Sequence, residues 1–323
     1  MATVSDDLVY GRGTFPAGSV TLCGCIGGSG EVVPVRVHSL IFVLPLIACL
    51  GVLAVGGSGA AVLLALVATG PGIFGTVLVH EIGHLVMASR CGATPTTILL
   101  WPLGGLAISA HCTTNATDRI WIAAAGPATH VPMCLFWIFL TGLTNGFTRA
   151  TSAGGRADAS GTFWFETLFV AMFFLNVYLF VFNALIPCFP LDCSAIVMNT
   201  MLLKGFSRES TAACMCYTSA PIVLVLAGYG LWAFFTSGQG ATMIFLAAWL
   251  GYQTYLLYRD WKQGALQNHA LFRDAPAQAA AAPAEAPKSI GHVGLGAVVS
   301  VMMLAQFTAR YYDHRLGGGG FFL

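Results

Sequence analysis

The chain has 323 residues, of which 57% are hydrophobic and only 8% are charged, and its mean hydropathy is +0.78. Soluble domains carry about 25% charged residues, so this composition excludes an ordinary soluble domain and favours a protein that lies in a lipid bilayer. The net charge of +1 and the absence of a basic cluster from the sequence argue against a nucleic acid as a partner.

Residues 1–37 precede the first long apolar run and predict an N-terminal cytoplasmic segment. They begin with Asp6 and Asp7, are rich in glycine and lack the apolar core of a signal peptide. The first apolar run is therefore expected to remain in the mature protein as a spanning helix. The run Gly27–Gly30 has no predicted strand before it and no predicted helix after it, so we expect a flexible loop and no nucleotide-binding module.

Six apolar segments, each near the 20 residues that a spanning helix needs, follow along the chain. They are residues 39–55, 60–88, 120–143, 165–187, 212–235 and 241–258. The second segment is interrupted by Gly70, Pro71 and Gly72, where we expect a kink. The pattern predicts an all-α integral membrane protein with about six transmembrane helices, in a domain over residues 38–272.

The chain then changes character. Residues 273–289 are rich in alanine and proline and predict a linker, and residues 290–323 form an apolar segment and a tail. Residues 290–309 fit either a seventh span or, as we favour slightly, a surface helix. With six spans and a cytoplasmic N-terminus, most basic residues flank cytoplasmic helix ends, which predicts the orientation but not the membrane.

Two carboxylates at membrane depth, Glu81 and Asp192, indicate function, because an ionisable group there is costly. Glu81 lies between His80 and His84, which face the same side of a helix because they are four residues apart. Two imidazoles in this arrangement can hold zinc, and the glutamate between them can act as a general base. The alternative, a pair of histidines at the membrane interface, leaves the buried glutamate unexplained.

Asp192 is the candidate third zinc ligand, since catalytic zinc usually has three protein ligands and one position for water. It ends a stretch that contains Asn183, Pro187 and Pro190. The prolines must break the fourth span, which is tolerated only where protein or water meets the exposed backbone. The alternative is that Asp192 merely caps a helix that begins at Cys193.

Together these motifs resemble those of the site-2 protease family of intramembrane metalloproteases, in particular its compact prokaryotic-type branch. The family has a His-Glu-x-x-His helix and an Asn-x-x-Pro-x-x-Pro-x-Asp-Gly motif. His80–His84 matches the first, and Asn183–Cys193 is similar to the second, with three residues instead of two between Asn183 and Pro187. Residues 34–38, 101–105 and 125–127 are also similar, and the resemblance covers about residues 32–272.

The resemblance implies a zinc metalloendopeptidase that hydrolyses peptide bonds of single-span membrane proteins. One zinc ion per chain would be held by His80, His84 and Asp192, with Glu81 as general base for a zinc-activated water. Asn183 is the candidate that assists the oxyanion. Residues 96–109 predict a strand, a turn and a return strand between the second and third spans, whose edge could hold an extended substrate by strand addition.

Two positions depart from the family pattern. Cys193 replaces the glycine after the ligand aspartate, either as a tolerated small residue or as a competing thiolate ligand. His130 stands where the family often has asparagine, and it fits either a hydrogen bond near the site or helix packing.

Two other functions remain open at this point. A transporter or channel would use the broken span as an ion path, but it predicts inverted repeats, which the sequence lacks. An inactive relative of the protease would bind membrane proteins without cutting them, but it would have no need of Glu81.

Overall fold

The computed structural model describes residues 19–26, 32–54, 56–101, 104–109, 115–152, 159–237, 240–269, 272 and 293–294. The helices are α1 (Val43–Ala54), α2 (Gly59–Val67), α3 (Ile73–Arg90), α4 (Ala116–Ala128), α5 (His130–Ser152), α6 (Ala159–Leu185), α7 (Asp192–Leu203), α8 (Arg208–Ser237) and α9 (Ala241–Lys262). The strands are β1 (Ser19–Ile26), β2 (Val32–His38), β3 (Pro95–Trp101), β4 (Gly104–Ser109) and β5 (Val293–Gly294).

Within these ranges, four helical stretches are long and apolar enough to cross a membrane. They are Gly59–Arg90, Ala116–Thr144, Trp164–Leu185 and Arg208–Ser237. Large apolar side chains such as Leu224 and Phe235 are exposed on the outside of the fold, as expected of helices whose solvent is lipid. The expectation of a helical membrane protein therefore agrees with the structure.

Six spans are not confirmed. The predicted first span corresponds to the short apolar helix Ser39–Ala54. The predicted sixth span corresponds to α9, which is long enough but is made less apolar by side chains such as Gln253 and Thr254. Residues 293–294 are the only described part of the predicted surface helix or seventh span at 290–309, and they form a strand.

A five-stranded sheet, in the order β1-β2-β3-β4-β5, corrects the all-α expectation. The predicted hairpin is present as the antiparallel pair β3 and β4. The N-terminal segment contributes β1 and β2, and β2 pairs in parallel with β3. Strand β1 lies before the glycine run, although no strand was predicted there. The element after the run is strand β2 and not a helix, so the run does not match a phosphate-binding loop.

The predicted kink before the histidine helix is a single π-helical turn at Ala68–Gly72, which joins α2 to α3. Pro71 has no N–H group to donate, so the α-helical hydrogen-bond pattern is interrupted at this turn. Gly72 packs closely against α6, where an added Cβ would lie 2.9 Å from the sulfur of Met172. The turn therefore fixes how α3 enters the core.

The predicted break in the fourth span is also present, because α6 ends at Leu185 and α7 begins at Asp192. Backbone N–H groups between these helices form hydrogen bonds with other groups of the protein, as they must where lipid offers no partner. The N–H of Phe189 donates to the hydroxyl oxygen of Ser219 on α8 at 2.9 Å. The N–H of Leu191 donates to the carbonyl oxygen of Cys188 at 2.8 Å. This turn carries Asp192 to the start of a new helix inside the protein.

The main core lies between the sheet, α3 and α6. Its buried members include Val35, Ile98 and Leu100 from the sheet, Ile73, Val77 and Leu85 from α3, and Met172 and Leu175 from α6. The core packs against the helix that carries the two histidines and holds it in place beside the sheet.

Candidate metal centre

Helix α3 and the first residue of α7 bring three predicted ligands together. His80, His84 and Asp192 are all buried, and the Nε2 atoms of the two histidines are 3.1 Å apart. Asp192 Oδ2 lies 3.1 Å from His80 Nε2, and Asp192 Oδ1 lies 3.4 Å from His84 Nε2. The two motifs predicted separately from the sequence therefore form one cluster.

The spacing of these donor atoms fits a zinc ion. In tetrahedral zinc sites the bonds to nitrogen and oxygen are about 2.0–2.1 Å long, which places neighbouring ligand atoms about 3.3 Å apart. The three distances above lie close to that value. Among the described residues, Asp192 Oδ2 has no hydrogen-bond partner although it is buried, so the carboxylate has an oxygen to offer a cation. His80, His84 and Asp192 are thus the residues that would hold zinc.

The orientation of His84 is set by a backbone carbonyl. Its Nδ1 lies 2.7 Å from the carbonyl oxygen of Ile122 on α4. A carbonyl oxygen only accepts, so Nδ1 carries the hydrogen and Nε2 is left with a lone pair that points at Asp192. Isoleucine at position 122 gave no sequence signal for this role, because the backbone and not the side chain makes the contact.

Glu81 is completely buried beside this cluster, under strand β4. Its Oε2 accepts a hydrogen bond from the N–H of Ala107 at 3.1 Å. Within the described part of the chain, its Oε1 has no hydrogen-bond partner. Gly105 lies so close that an added Cβ would collide with Cγ of Glu81. One carboxylate oxygen is held by the sheet, and the other remains available for proton transfer.

Asp192 does not act as the N-cap of α7. Leu191 holds the N-cap position, and Asp192 is the first helical residue, with its carboxylate turned towards the histidines. The negative charge also lies at the positive end of the helix dipole, which stabilises it. The geometry therefore favours the ligand interpretation over the cap. Cys193 is buried and lies outside the group of converging ligand atoms found among the described residues.

His130 and Asn183 have different surroundings. His130 is buried, and its Nε2 lies 3.0 Å from Nδ1 of His80, so it makes a hydrogen bond at the site rather than only packing between helices. Asn183 is also buried and donates from its amide to the carbonyl oxygen of Leu179 on its own helix at 3.1 Å. Its assistance to the oxyanion remains a prediction.

Gly126 lets α4 approach α3 directly over the metal cluster. An added Cβ at Gly126 would collide with Nε2 of His84. At Gly83, on the facing helix, an added Cβ would lie 2.7 Å from the carbonyl oxygen of Ala125. Both glycines are therefore needed for the close helix contact, and Gly126 is needed for the position of the ligand itself.

We expect Gly126→Ala to displace the His84 ring and to weaken zinc binding by about 10–100-fold, the usual effect of disturbing the support of a ligand histidine. Zinc retention after gel filtration measures this loss. Gly142→Ala on α5 is the matched control, because a Cβ there would meet nothing within 4 Å. Equal zinc content in the two variants would contradict the close approach of α4 to His84.

Comparisons with known proteins match the segment of the chain that contains this centre. Residues 71–227, which include every residue of the cluster, match the sequence model of Peptidase family M50. Two proteins from two strains of Mycobacterium tuberculosis, both named zinc metalloprotease Rip3, are 28% identical to this chain over 186 residues. The alignment covers 57% of this chain and 41% of each relative, so the chain spans less than half the length of the curated relatives that it matches. The resemblance to the site-2 protease family is confirmed over the matched segment, and the transporter alternative is not favoured.

Proposed function

We propose that this membrane protein, whose residues 71–227 match the site-2 protease family, is an intramembrane zinc metalloprotease that hydrolyses peptide bonds of membrane-spanning proteins. The observation that carries the proposal is the convergence of three buried ligand residues beside Glu81, a buried glutamate on the helix that carries the two histidines. A purely structural cluster would have no need of a glutamate with a free oxygen, whereas hydrolysis requires one.

The ligands His80, His84 and Asp192 would hold one zinc ion. When bound, zinc supplies Lewis-acid activation of a water molecule and of the scissile carbonyl. Glu81 then accepts the proton of the attacking water on Oε1 and returns it to the leaving amine nitrogen. Because Ala107 holds Oε2, the carboxylate keeps its orientation through both proton transfers. The amide nitrogen of Asn183 has two hydrogens, and one of them goes to the carbonyl oxygen of Leu179; we propose that the other donates to the oxyanion.

The outer edge of β4 is the proposed binding site for substrate. A transmembrane helix hides its amides in internal hydrogen bonds, so the substrate must unwind into an extended segment before it can be cut. Strand β4 contacts Glu81 through Gly105 and Ala107, so a strand added to its edge would lie close to the general base. That edge is not fully open, since Gly105 and Leu106 pair with Gly294 and Val293 of β5.

A substrate strand that pairs with β4 must displace β5. We therefore expect the double variant Val293→Pro, Gly294→Pro to cleave a single-span reporter faster than wild type, because proline removes the N–H groups that a strand donates. Val293→Thr is the control, since it keeps the N–H and a good strand former. An unchanged or lower rate in the proline variant would contradict competition for this edge.

The experiment that tests the function is cleavage of a panel of single-span reporters by the purified protein in liposomes. Zinc-loaded protein should cut at least one reporter within or beside its apolar segment, and removal of zinc by a chelator should abolish the cut. Cutting that survives the chelator would contradict the proposal. The orientation, with the N-terminus and the opening of the site on the cytoplasmic side, remains a prediction from the charge distribution.

A further inference from the structure

We infer that His130 and Asn176 are positioning residues that fix the tautomer and ring orientation of His80 as a metal ligand. The inference rests on the proposed function and extends it to two residues outside the ligand set. His130 begins α5, and Asn176 lies in the middle of α6. His130 Nε2 is 3.0 Å from His80 Nδ1, and His130 Nδ1 is 2.9 Å from Asn176 Oδ1. Both residues are fully buried.

The direction of each hydrogen bond in this series follows from the orientation of the Asn176 side chain. The Asn176 amide nitrogen donates to the carbonyl oxygen of Met172 at 2.9 Å, one helical turn earlier. Its Oδ1 therefore faces His130 and can only accept, so the hydrogen of His130 lies on Nδ1. A neutral imidazole carries one N–H, and His130 Nε2 is then an acceptor.

The acceptor atom, Nε2 of His130, determines which tautomer His80 adopts. Because His130 Nε2 accepts, His80 Nδ1 must carry the hydrogen and donate it. Nε2 of His80 is then left with a lone pair, and it is this atom that lies 3.1 Å from Asp192 Oδ2. The same tautomer is needed for a metal bond through Nε2. The hydrogen-bonded series Asn176–His130–His80, called the relay below, therefore prepares the ligand before any metal binds.

The two histidine ligands are thus held by different means. His84 is oriented by the carbonyl of Ile122, which no side-chain substitution removes. His80 is oriented by two side chains, so its alignment depends on the residue at position 130. This is one of the two positions at which the chain departs from the family pattern, and the departure places an imidazole where its two nitrogens can bridge His80 and Asn176.

The test is the zinc affinity of purified full-length protein, measured by competition with a chromophoric chelator. We expect His130→Leu to weaken zinc binding by about 10–100-fold, the usual effect of losing a partner of a ligand histidine. Asn176→Leu should weaken it in the same direction. His130→Gln should stay within a few-fold of wild type, because its amide can accept from His80 and donate to Asn176.

Asn199→Leu is the matched control. Asn199 is a buried asparagine on α7 whose amide also donates to the carbonyl one turn earlier, at 2.7 Å from the oxygen of Ala195. Asn199 takes no part in the relay, so the zinc affinity of the Asn199→Leu variant should equal that of wild type. The cobalt-substituted forms give a second readout, since a tilted His80 changes the visible ligand-field spectrum in His130→Leu and not in Asn199→Leu.

The outcomes separate the relay from the proposed function. Wild-type zinc affinity and an unchanged cobalt spectrum in His130→Leu would overturn the relay and leave the zinc centre standing. A wild-type protein that binds no zinc would overturn both. If His130→Leu does not fold, solid-state NMR of nitrogen-15 histidine in the wild type decides, because the relay requires the Nδ1–H tautomer of His130 and an Nε2–H tautomer would refute it.

Discussion

Glu81→Gln is expected to retain zinc at the wild-type stoichiometry and to cleave substrate roughly 100- to 10,000-fold more slowly. Glutamine has the shape of glutamate, and its carbonyl oxygen can still accept from the N–H of Ala107. The amide cannot accept a proton from water, so the base is removed while His80, His84 and Asp192 remain. Metal analysis of the purified variant and a reporter assay measure the two effects separately.

The matched control for this variant is Glu166→Gln. Glu166 is a partly buried carboxylate on α6, outside the cluster of converging ligand atoms. We expect its activity to equal that of wild type. If Glu81→Gln cleaves at a rate near that of Glu166→Gln, Glu81 is not the general base, and the protein would require another group for proton transfer.

Asp192→Ala should lose both zinc and activity, because two histidines alone leave the centre one protein ligand short. The alternative, a role in the helix terminus alone, predicts a loss of only about 1 kcal/mol in stability with the metal still bound. Zinc per chain after gel filtration distinguishes the two predictions. Stoichiometric zinc in Asp192→Ala would refute the assignment of the third ligand.

Asp118→Ala supplies the control for the helix-terminus effect. Asp118 is an acidic residue in the first turn of α4, as Asp192 is in the first turn of α7. Its removal costs a similar interaction with the helix dipole but takes no atom from the metal cluster. We therefore expect full zinc content in this variant, with a small change in thermal stability at most.

The metal cluster was predictable from the sequence because its residues lie in two short motifs. The first motif has two histidines at helical spacing with a glutamate between them, and the second has an aspartate after two prolines. Few sites other than a metal centre have both motifs. The hairpin and the broken span were also predictable, since a Pro-Leu-Gly-Gly sequence is typical of a turn between two strands and a pair of prolines is typical of a helix end. The structure then added the distances that bring the two motifs to one centre.

What the sequence did not indicate depends on contacts between distant segments. The strands β1 and β2 lie in a glycine-rich segment, and β2 gains its place by pairing with β3, about 60 residues later in the chain. The predicted count of about six spans is not confirmed, because Ser39–Ala54 is short for a bilayer and α9 is less apolar than the four candidate spans. Neither feature can be deduced from local periodicity alone.

The surroundings of the ligands were missed for the same reason. Ala107 and Ile122 act through their backbone, which no side-chain pattern marks. Asn176 carried a weak signal, as a polar residue within an apolar segment, but its partner His130 lies on another helix. The role of His130 was left open between packing and hydrogen bonding, and only the distance to His80 decides it.

The most direct test of the zinc centre is X-ray absorption spectroscopy at the zinc edge on the purified full-length protein. The assignment of His80, His84 and Asp192 predicts one zinc ion with nitrogen and oxygen ligands at about 2.0–2.1 Å and the scattering pattern of two imidazoles. It also predicts no sulfur ligand. A sulfur shell at about 2.3 Å, which would place Cys193 or another thiol on the metal, or a spectrum with fewer than two imidazoles, would contradict the assignment.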